Sequence, residues 1–158
     1  MFCEALSVVG DAFAIAGFSG TGRLGVDYFR IKDFENTLDH AVKERISTLS
    51  PQRSTRMGAA IRHAASQLEK VSARVRLLII LGDGFPNDTD YKREYAIEDT
   101  RKAIFEARSK NIYTKAITVN LAGDSKLDAL YGSIHHNVIS DVRELPDRLL
   151  RLYSALTR

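Results

Sequence analysis

The sequence predicts an α/β fold: a doubly wound, mostly parallel sheet covered by helices on both faces, giving three layers, with an antiparallel edge strand. Helix-like and strand-like segments alternate from Thr55 onward with short connections between them, which indicates a parallel sheet. Residues 75–81 form an almost unbroken apolar run, typical of a strand buried on both faces. In Val26–Lys32 the side chains of one face alternate with those of the other, as in a half-exposed antiparallel strand. One face carries Val26, Tyr28 and Arg30, and the other carries Asp27, Phe29 and Ile31.

The N-terminal elements come first in the chain. Residues 1–10 have the periodicity of a helix that ends at Gly10, and residues 13–18 are a short apolar run that indicates a buried strand. A glycine-rich turn then leads into Val26–Lys32. Residues 39–49 indicate a helix with one apolar stripe. The members of that stripe are Ala41, Val42, Ile46 and Leu49.

Helices and strands alternate in the remaining chain. Apolar residues from Met57 to Val71 recur at helical spacing, and the strand at residues 75–81 follows them. A helix at about residues 95–110 places Ile97, Thr100, Ile104 and Ala107 inward. The later elements are a strand at Ile112–Val119, a short helix at Lys126–Tyr131, a strand at residues 137–140 and a helix at residues 143–157.

Composition excludes several classes of protein. The 158 residues suffice for one domain and are too few for two, so we expect residues 1–158 to form a single domain. No apolar run approaches the roughly 20 residues of a membrane span, and the N-terminus lacks the features of a signal peptide. Cys3 is the only cysteine, which excludes an internal disulfide and favours a cytoplasmic location. The net charge of +3 forms no basic stripe with aromatic residues, so no nucleic-acid surface is predicted.

Two catalytic or cofactor motifs are matched only superficially. Residues 20–25, GTGRLG, match the dinucleotide-binding fingerprint, but they precede a strand and not the helix whose amides would hold a pyrophosphate. The segment around Ser19 approaches a nucleophile elbow, but Thr21 replaces its last glycine and a strand again follows. His135 and His136 are therefore interpreted as loop or strand-end residues and not as the base of an esterase.

The loop after residues 75–81 is the stronger candidate for a functional site. Asp83 follows the apolar run directly, at the end of the strand where open α/β sheets bind ligands. The flanking Gly82 and Gly84 allow a sharp turn. Further oxygen donors in this loop are Asn87, Asp88 and Asp90. Such oxygens suit a hard divalent cation, although the same residue types also form ordinary turns, and position alone does not decide between the two.

A second polar loop supports the functional interpretation. Ser54 and Thr55 precede the amphipathic helix that leads into the strand at residues 75–81. A hydroxyl there is expected to cap the helix, and it could also reach a cation at the edge of the sheet. Thr55 and Asp83 are separated by one helix and one strand, so they can face each other.

At these residues the chain resembles the von Willebrand factor A domain, whose adhesion site takes metal ligands from three loops. Thr55, within STRMGAAI at residues 54–61, matches the threonine of the second loop, and Asp83, within LIILGDGFPND at residues 78–88, matches the aspartate of the third. Further segments resemble the bacterial NorD/CbbO subgroup. They are FAIAGFS at residues 13–19, YFRIKDF at 28–34, TRMGAAIRHA at 55–64 and LYSALT at 152–157.

The resemblance implies a fold and a set of partners. In the subgroup the domain is the C-terminal part of a larger adaptor that works with a MoxR-type AAA+ ATPase. Together they activate a client enzyme, nitric oxide reductase or Rubisco. The rim expected to bind a partner comprises Ser19, Thr55, Asp83, Asn87 and Asp88, and the metal ligands are expected to be Thr55 and Asp83.

The chain departs from the family in two respects. The first loop, Asp-x-Ser-x-Ser, occurs nowhere in the sequence, and Gly82 replaces the Thr or Ser often found before the aspartate. We therefore expect weak Mg²⁺ binding or none. The family's central strand is also absent, so the strands at residues 13–18 and 75–81 should either pair directly or have open edges. A fragment of a longer protein, or a truncated gene product, would explain this; another chain could also fill the gap.

Three functional hypotheses follow. The first is a protein-interaction module, without catalysis, that recruits a carboxylate-bearing partner through the rim. The second is a magnesium-dependent phosphohydrolase that uses Asp83, Asp88 and Asp90. The third is an inactive remnant of the domain.

Overall fold

The structure, a computed structural model, describes residues 2–50, 54–91, 93–119, 126–131 and 136–157. These residues form six α-helices, one 3₁₀ turn and five strands. The strands are β1 (Ile15–Gly20), β2 (Val26–Lys32), β3 (Arg76–Gly82), β4 (Ile112–Val119) and β5 (His136–Ile139). The helices are α1 (Phe2–Val9), α2 (His40–Ser47), α3 (Met57–Glu69), α4 (Arg93–Ser109), α5 (Lys126–Tyr131) and α6 (Leu145–Thr157), with the 3₁₀ turn at Val142–Glu144 before α6.

The alternation of helices and strands predicted from the sequence is confirmed. Each predicted element is present, and its ends move by about two residues at most. The region of α2 differs from the prediction in its burial: Val42 is buried, whereas Ile46 is exposed, and Leu49 is exposed beyond the end of the helix at Ser47. Only part of its predicted apolar stripe therefore faces the core. No helix in the described ranges is long and apolar enough to cross a membrane.

Backbone hydrogen bonds divide the strands into two sheets. The first contains β1 and β2, which are antiparallel, with Gly20 opposite Val26. The second is parallel, in the order β3-β4-β5, with Gly82 opposite Thr118. The glycine-rich segment at residues 20–25 is the turn between β1 and β2, and Gly22 there has a positive φ of 69°. The sequence-based rejection of a dinucleotide loop agrees with this turn, because no helix follows it.

Alternate side chains of the parallel sheet pack on opposite helical layers. Ile80 and Ala116 contact α3, α4 and α5 through a cluster that includes Met57, Ile104 and Leu130. Ile79 and Ile117 belong to a different cluster. Its helical members are Phe2, Leu145, Leu149 and Leu152 from α1 and α6. Helices therefore cover both faces of the sheet, which explains the apolar sequence of β3.

The neighbouring edges of β1 and β3 are open. In the described part of the chain no ladder of backbone hydrogen bonds joins these strands. Phe18 of β1 nevertheless packs on the core cluster of β3 and β4, so the two sheets share one interior. Of the two arrangements expected for these strands, the structure shows open edges and not direct pairing. In the part of the chain that the structure describes, the antiparallel pair is therefore a separate hydrogen-bonded sheet beside the parallel one.

Candidate functional site

Asp83 lies directly after β3, where the parallel strands end. Its side chain is exposed, whereas Ile80 in the same strand is buried. The carboxylate therefore emerges from the core at the edge where open α/β sheets bind ligands. This is the location that the apolar run in the sequence predicted.

Thr55 and Asp83 line the same cavity, which has a volume of about 260 Å³. It lies between the open edges of β1 and β3. The remaining lining residues are Ala16, Gly17, Phe18, Met57, Leu81, Gly82 and Gly84. The two loops are joined through the backbone, because the Thr55 amide donates to the Asn87 carbonyl at 2.8 Å and the Asn87 amide donates to the Thr55 carbonyl at 3.0 Å. The fold thus brings together the two residues that the sequence singled out as metal ligands.

The expected helix cap by Ser54 or Thr55 is wrong. α3 begins at Met57, and its capping position is Arg56, whose side chain makes no capping hydrogen bond. The phenol oxygen of Tyr91 accepts a hydrogen bond from the Gly58 amide at 3.2 Å instead. Within the described residues no hydrogen bond uses the Thr55 hydroxyl. That hydroxyl is therefore available to a ligand in the cavity.

Ser19 and Asn87 lie at different depths. Ser19 is buried on β1, so its side chain is not presented at the surface. Asn87 is exposed beside Thr55. The accessible part of the predicted rim therefore consists of Thr55, Asp83 and Asn87.

Asp88 is buried in an ion pair with Arg56. The Asp88 Oδ2 atom accepts from Arg56 Nε at 3.0 Å, and the two side chains are 0% and 7% exposed. The Asp88 Oδ1 atom accepts from the amides of Gly22 at 3.1 Å and Thr89 at 2.8 Å. Both carboxylate oxygens are thus occupied by groups of the protein, and Asp88 holds three loops together where the sequence had suggested a partner contact.

The protonation of Asp88 reflects these contacts. Burial by itself would raise the pKa of the carboxyl group. The two amide hydrogen bonds and the Arg56 guanidinium outweigh burial and hold the pKa of Asp88 below its usual value. Asp88 is therefore an anion at neutral pH, matched by the Arg56 cation, which also stacks on the Tyr91 ring at 4.6 Å.

A second network fixes the start of α3 against α4. Tyr91 is fully buried, and its phenol donates a short hydrogen bond to Asp99 Oδ2. Arg62 binds the other oxygen of Asp99 at 2.8 Å and Glu106 at 2.6 Å. Burial, assisted by the hydrogen bond to Asp99, raises the pKa of Tyr91 to about 12. The loop that carries Thr55 is therefore anchored on both sides by buried polar contacts.

The donor set at the cavity does not by itself fit a magnesium site. Thr55 and Asp83 supply oxygens, but Mg²⁺ requires about six ligands in octahedral geometry. In the described part of the chain no group of three or more histidine, cysteine or acidic residues is placed to hold a metal. The trio of the hydrolase hypothesis, Asp83, Asp88 and Asp90, is not assembled, since Asp88 is buried in its ion pair.

The residues that sequence reasoning missed are Arg56, Tyr91 and Asp99. Each is part of a long-range contact: Arg56 and Asp88 are 32 positions apart, and Tyr91 and Gly58 are 33 apart. Only the adjacency of Arg56 to Thr55 could have drawn attention to one of them. His135 lies outside the described residues, and His136 begins β5.

Known proteins resemble this chain in sequence over almost its whole length. A family model described as the von Willebrand factor type A domain matches residues 5–147. An uncharacterized protein of Pseudomonas aeruginosa is 42% identical over 100% of this chain and 26% of its own length. Protein NorD of Brucella suis is 36% identical over 99% of the chain and 25% of its own length, and Protein NorD of Stutzerimonas stutzeri is 37% identical over 91% and 24%. The chain thus spans about a quarter of the length of these relatives.

A solved structure also shares the fold. The pilus adhesin SpaC of Lactobacillus rhamnosus GG superposes with a TM-score of 0.69, covering 98% of this chain and 26% of the adhesin. The sequence identity is 14%, so this similarity concerns the fold alone.

Proposed function

Because this chain belongs to the von Willebrand factor type A family, we propose that it is a protein-interaction module that binds a partner at the rim formed by Thr55, Asp83 and Asn87, and that it binds a carboxylate of that partner where a cation bridges the carboxylate to Asp83. The observation that carries the proposal is the cavity of about 260 Å³ lined by both Thr55 and Asp83. A hydroxyl and a carboxylate from two different loops converge there at the C-terminal end of β3. A binding role of this kind involves no catalytic step. The segment around Ser19, which approaches a nucleophile elbow in sequence, leads into the turn before β2 and not into a helix.

The rigidity of this rim supports a binding role. The buried Arg56–Asp88 pair and the backbone bridge between Thr55 and Asn87 fix the loops before a partner arrives. A preorganised surface loses less conformational entropy on binding than a mobile one does. The exposed residues can therefore act as a fixed contact surface.

The proposed partners are a MoxR-type AAA+ ATPase and a client enzyme, either nitric oxide reductase or Rubisco. This proposal rests on the resemblance to the NorD/CbbO subgroup and on the relatives named NorD. The domain would act in the cytoplasm as the adaptor part of a longer protein. A cation would bridge the rim and the partner's carboxylate only where further ligands complete the site.

Partner binding by Asp83 can be tested directly. The chain and its Asp83→Ala variant would be titrated against the purified MoxR-type ATPase of the same organism by biolayer interferometry, with and without MgCl₂. We expect the variant to bind about tenfold or more weakly, as loss of a central polar contact does. Asp90→Ala is the matched control, because Asp90 is an exposed aspartate of the same loop. Equal affinity of Asp83→Ala and the unaltered chain would refute the proposal.

A further inference from the structure

Tyr91 joins the two loops of the rim through contacts at its backbone and at its hydroxyl group. The Tyr91 amide donates to the Asp88 carbonyl at 3.1 Å, and the Asp88 amide donates to the Tyr91 carbonyl at 3.3 Å. At the far end of the side chain, the hydroxyl oxygen accepts from the Gly58 amide at 3.2 Å. Asp88 follows Asn87 of the rim, and Gly58 lies three residues after Thr55. Tyr91 therefore fixes the separation of the two loops that carry Thr55 and Asn87.

The Tyr91 hydroxyl is itself held in place by Asp99 and Arg62. The hydroxyl donates to Asp99 Oδ2, and the other oxygen of that carboxylate accepts from Arg62 Nη1 at 2.8 Å. A hydroxyl has one proton to donate, so its donation to Asp99 leaves its lone pairs for the Gly58 amide. Arg62 also binds Glu106 at 2.6 Å, and both of these side chains are partly exposed. The network thus runs from the buried start of α3 to the outer surface of α3 and α4.

We propose that Asp99 and Arg62 are positioning residues of the rim: they orient the Tyr91 hydroxyl, and Tyr91 in turn holds Thr55 where it can contact a partner. The inference rests on the function proposed for the rim. Neither Asp99 nor Arg62 is among the residues that line the cavity at Thr55, so both act through Tyr91 and not by contact with a bound partner. The requirement is strict because the hydrogen bond from the Gly58 amide is buried, and a displaced hydroxyl would leave that amide without an acceptor.

Three variants interrupt the network at successive points. Tyr91→Phe removes the hydroxyl and retains the ring on which Arg56 stacks. Asp99→Asn offers one acceptor oxygen where the carboxylate offers two, so it cannot serve both Tyr91 and Arg62. Arg62 is partly exposed, so Arg62→Met tests the network even if a buried variant fails to fold.

Amide hydrogen exchange, followed by NMR, reports the stability of the rim without any partner. We expect the amides of Thr55 and Asn87, which bridge the two loops, to exchange about threefold to thirtyfold faster in each network variant. The affinity for the purified MoxR-type ATPase of the same organism, measured by biolayer interferometry, should fall by a similar factor.

Ile117→Val is the control for an effect of global stability alone. Ile117 is fully buried on the opposite face of the sheet, in the cluster with α6, and the loss of one methyl group there destabilises the fold without touching the network. This variant should accelerate exchange at Ala116 in the centre of β4. The exchange rates of Thr55 and Asn87 and the affinity for the ATPase should remain those of the unaltered chain.

Three results would overturn the inference. The first is equal acceleration at Thr55 and Asn87 in Ile117→Val and in the network variants, because the effect would then follow global stability. The second is unchanged exchange at these amides in Asp99→Asn and Arg62→Met, and the third is unchanged affinity in a variant whose rim amides exchange faster. If the unaltered chain does not bind the ATPase, the function proposed for the rim fails with that partner, whereas the exchange rates still decide whether Asp99 and Arg62 position Thr55.

Discussion

At the scale of single residues, two aspartates of one loop have different environments. Asp83 is exposed in a cavity beside Thr55, whereas Asp88 is buried and binds Arg56 and two backbone amides. Their sequence contexts are similar, since both lie among glycine, asparagine and proline residues. The difference arises because Arg56 and Gly22 reach Asp88 from distant parts of the chain. Substitutions at the two positions should therefore affect different properties.

Asp88→Asn should lower the stability of the fold. The change removes the anion of a buried ion pair and leaves the Arg56 guanidinium without its counter-charge. Loss of one partner of such a pair costs about 3–5 kcal/mol in the free energy of unfolding. Urea denaturation followed by circular dichroism measures the effect, with Asp90→Asn as the exposed control. A difference of less than about 1 kcal/mol between the two variants would contradict the structural role of Asp88.

The buried Tyr91 phenol should make the free energy of unfolding depend on pH in the alkaline range. Its pKa is raised from 10.0 to about 12 in the folded chain, so the folded state favours the protonated phenol. The contribution is fully present below pH 10.0 and is lost as the pH rises toward about 12. The stability difference between the unaltered chain and Tyr91→Phe should therefore shift in favour of the variant over that interval. Urea titrations of both chains at a series of pH values across that interval measure the shift, and a constant difference between the two chains would contradict it.

At the scale of secondary-structure elements, the sequence predicts most of the fold and a smaller part of the site. Apolar periodicity locates α3, β3 and β4 because each buries a regular stripe of side chains, and local spacing records that burial. The position of Asp83 follows from the same pattern, since it comes after a buried strand. The Arg56–Asp88 pair could not be predicted, because it depends on how two loops meet in three dimensions. The exposure of Ile46 on α2 and of Leu49 just after it likewise depends on what packs against that helix.

The contact between α3 and α4 depends on the absence of a side chain at Gly58. A Cβ atom there would lie 2.0 Å from Asp99 Oδ2 and 2.9 Å from the Tyr91 hydroxyl oxygen. Gly58→Ala should therefore separate the helices or break the Tyr91 network, and lower the free energy of unfolding by about 1–3 kcal/mol. Thermal unfolding would measure the loss. Gly84→Ala is the control, since nothing lies within 4 Å of a Cβ atom at Gly84. Similar melting temperatures for the two alanine variants would show that α4 can move without cost.

At the scale of the whole molecule, the two sheets lie side by side, and among the described residues no ladder of backbone hydrogen bonds connects β1 with β3. β1 and β3 flank the cavity of about 260 Å³, with Gly17 and Phe18 on one side and Leu81 and Gly82 on the other. Leu81 is 49% exposed, whereas the other residues of β3 are buried or half-buried. Open edges of this kind carry unpaired amide and carbonyl groups that can bind another strand. The family resemblance predicts that a strand bearing Asp-x-Ser-x-Ser would bind between these two edges.

A chain that carries this strand should form one continuous sheet. The strand would lie between β1 and β3, and helices cover both faces of the neighbouring parallel strands, so its buried portion should be apolar. Hydrogen exchange monitored by NMR should show that amides of Phe18 and Leu81 become protected when the strand is present. Amides in the centre of β4, such as Ala116, already lie inside the parallel sheet and serve as the internal control.

Calorimetric titration of the same chain with MgCl₂ should show binding that disappears in Asp83→Ala, because the added Asp and Ser oxygens would join Thr55 and Asp83. Unchanged exchange rates at Phe18 and Leu81 would show that the strand lies elsewhere. Protection of these amides without magnesium binding would show that the strand completes the sheet but does not complete a metal site.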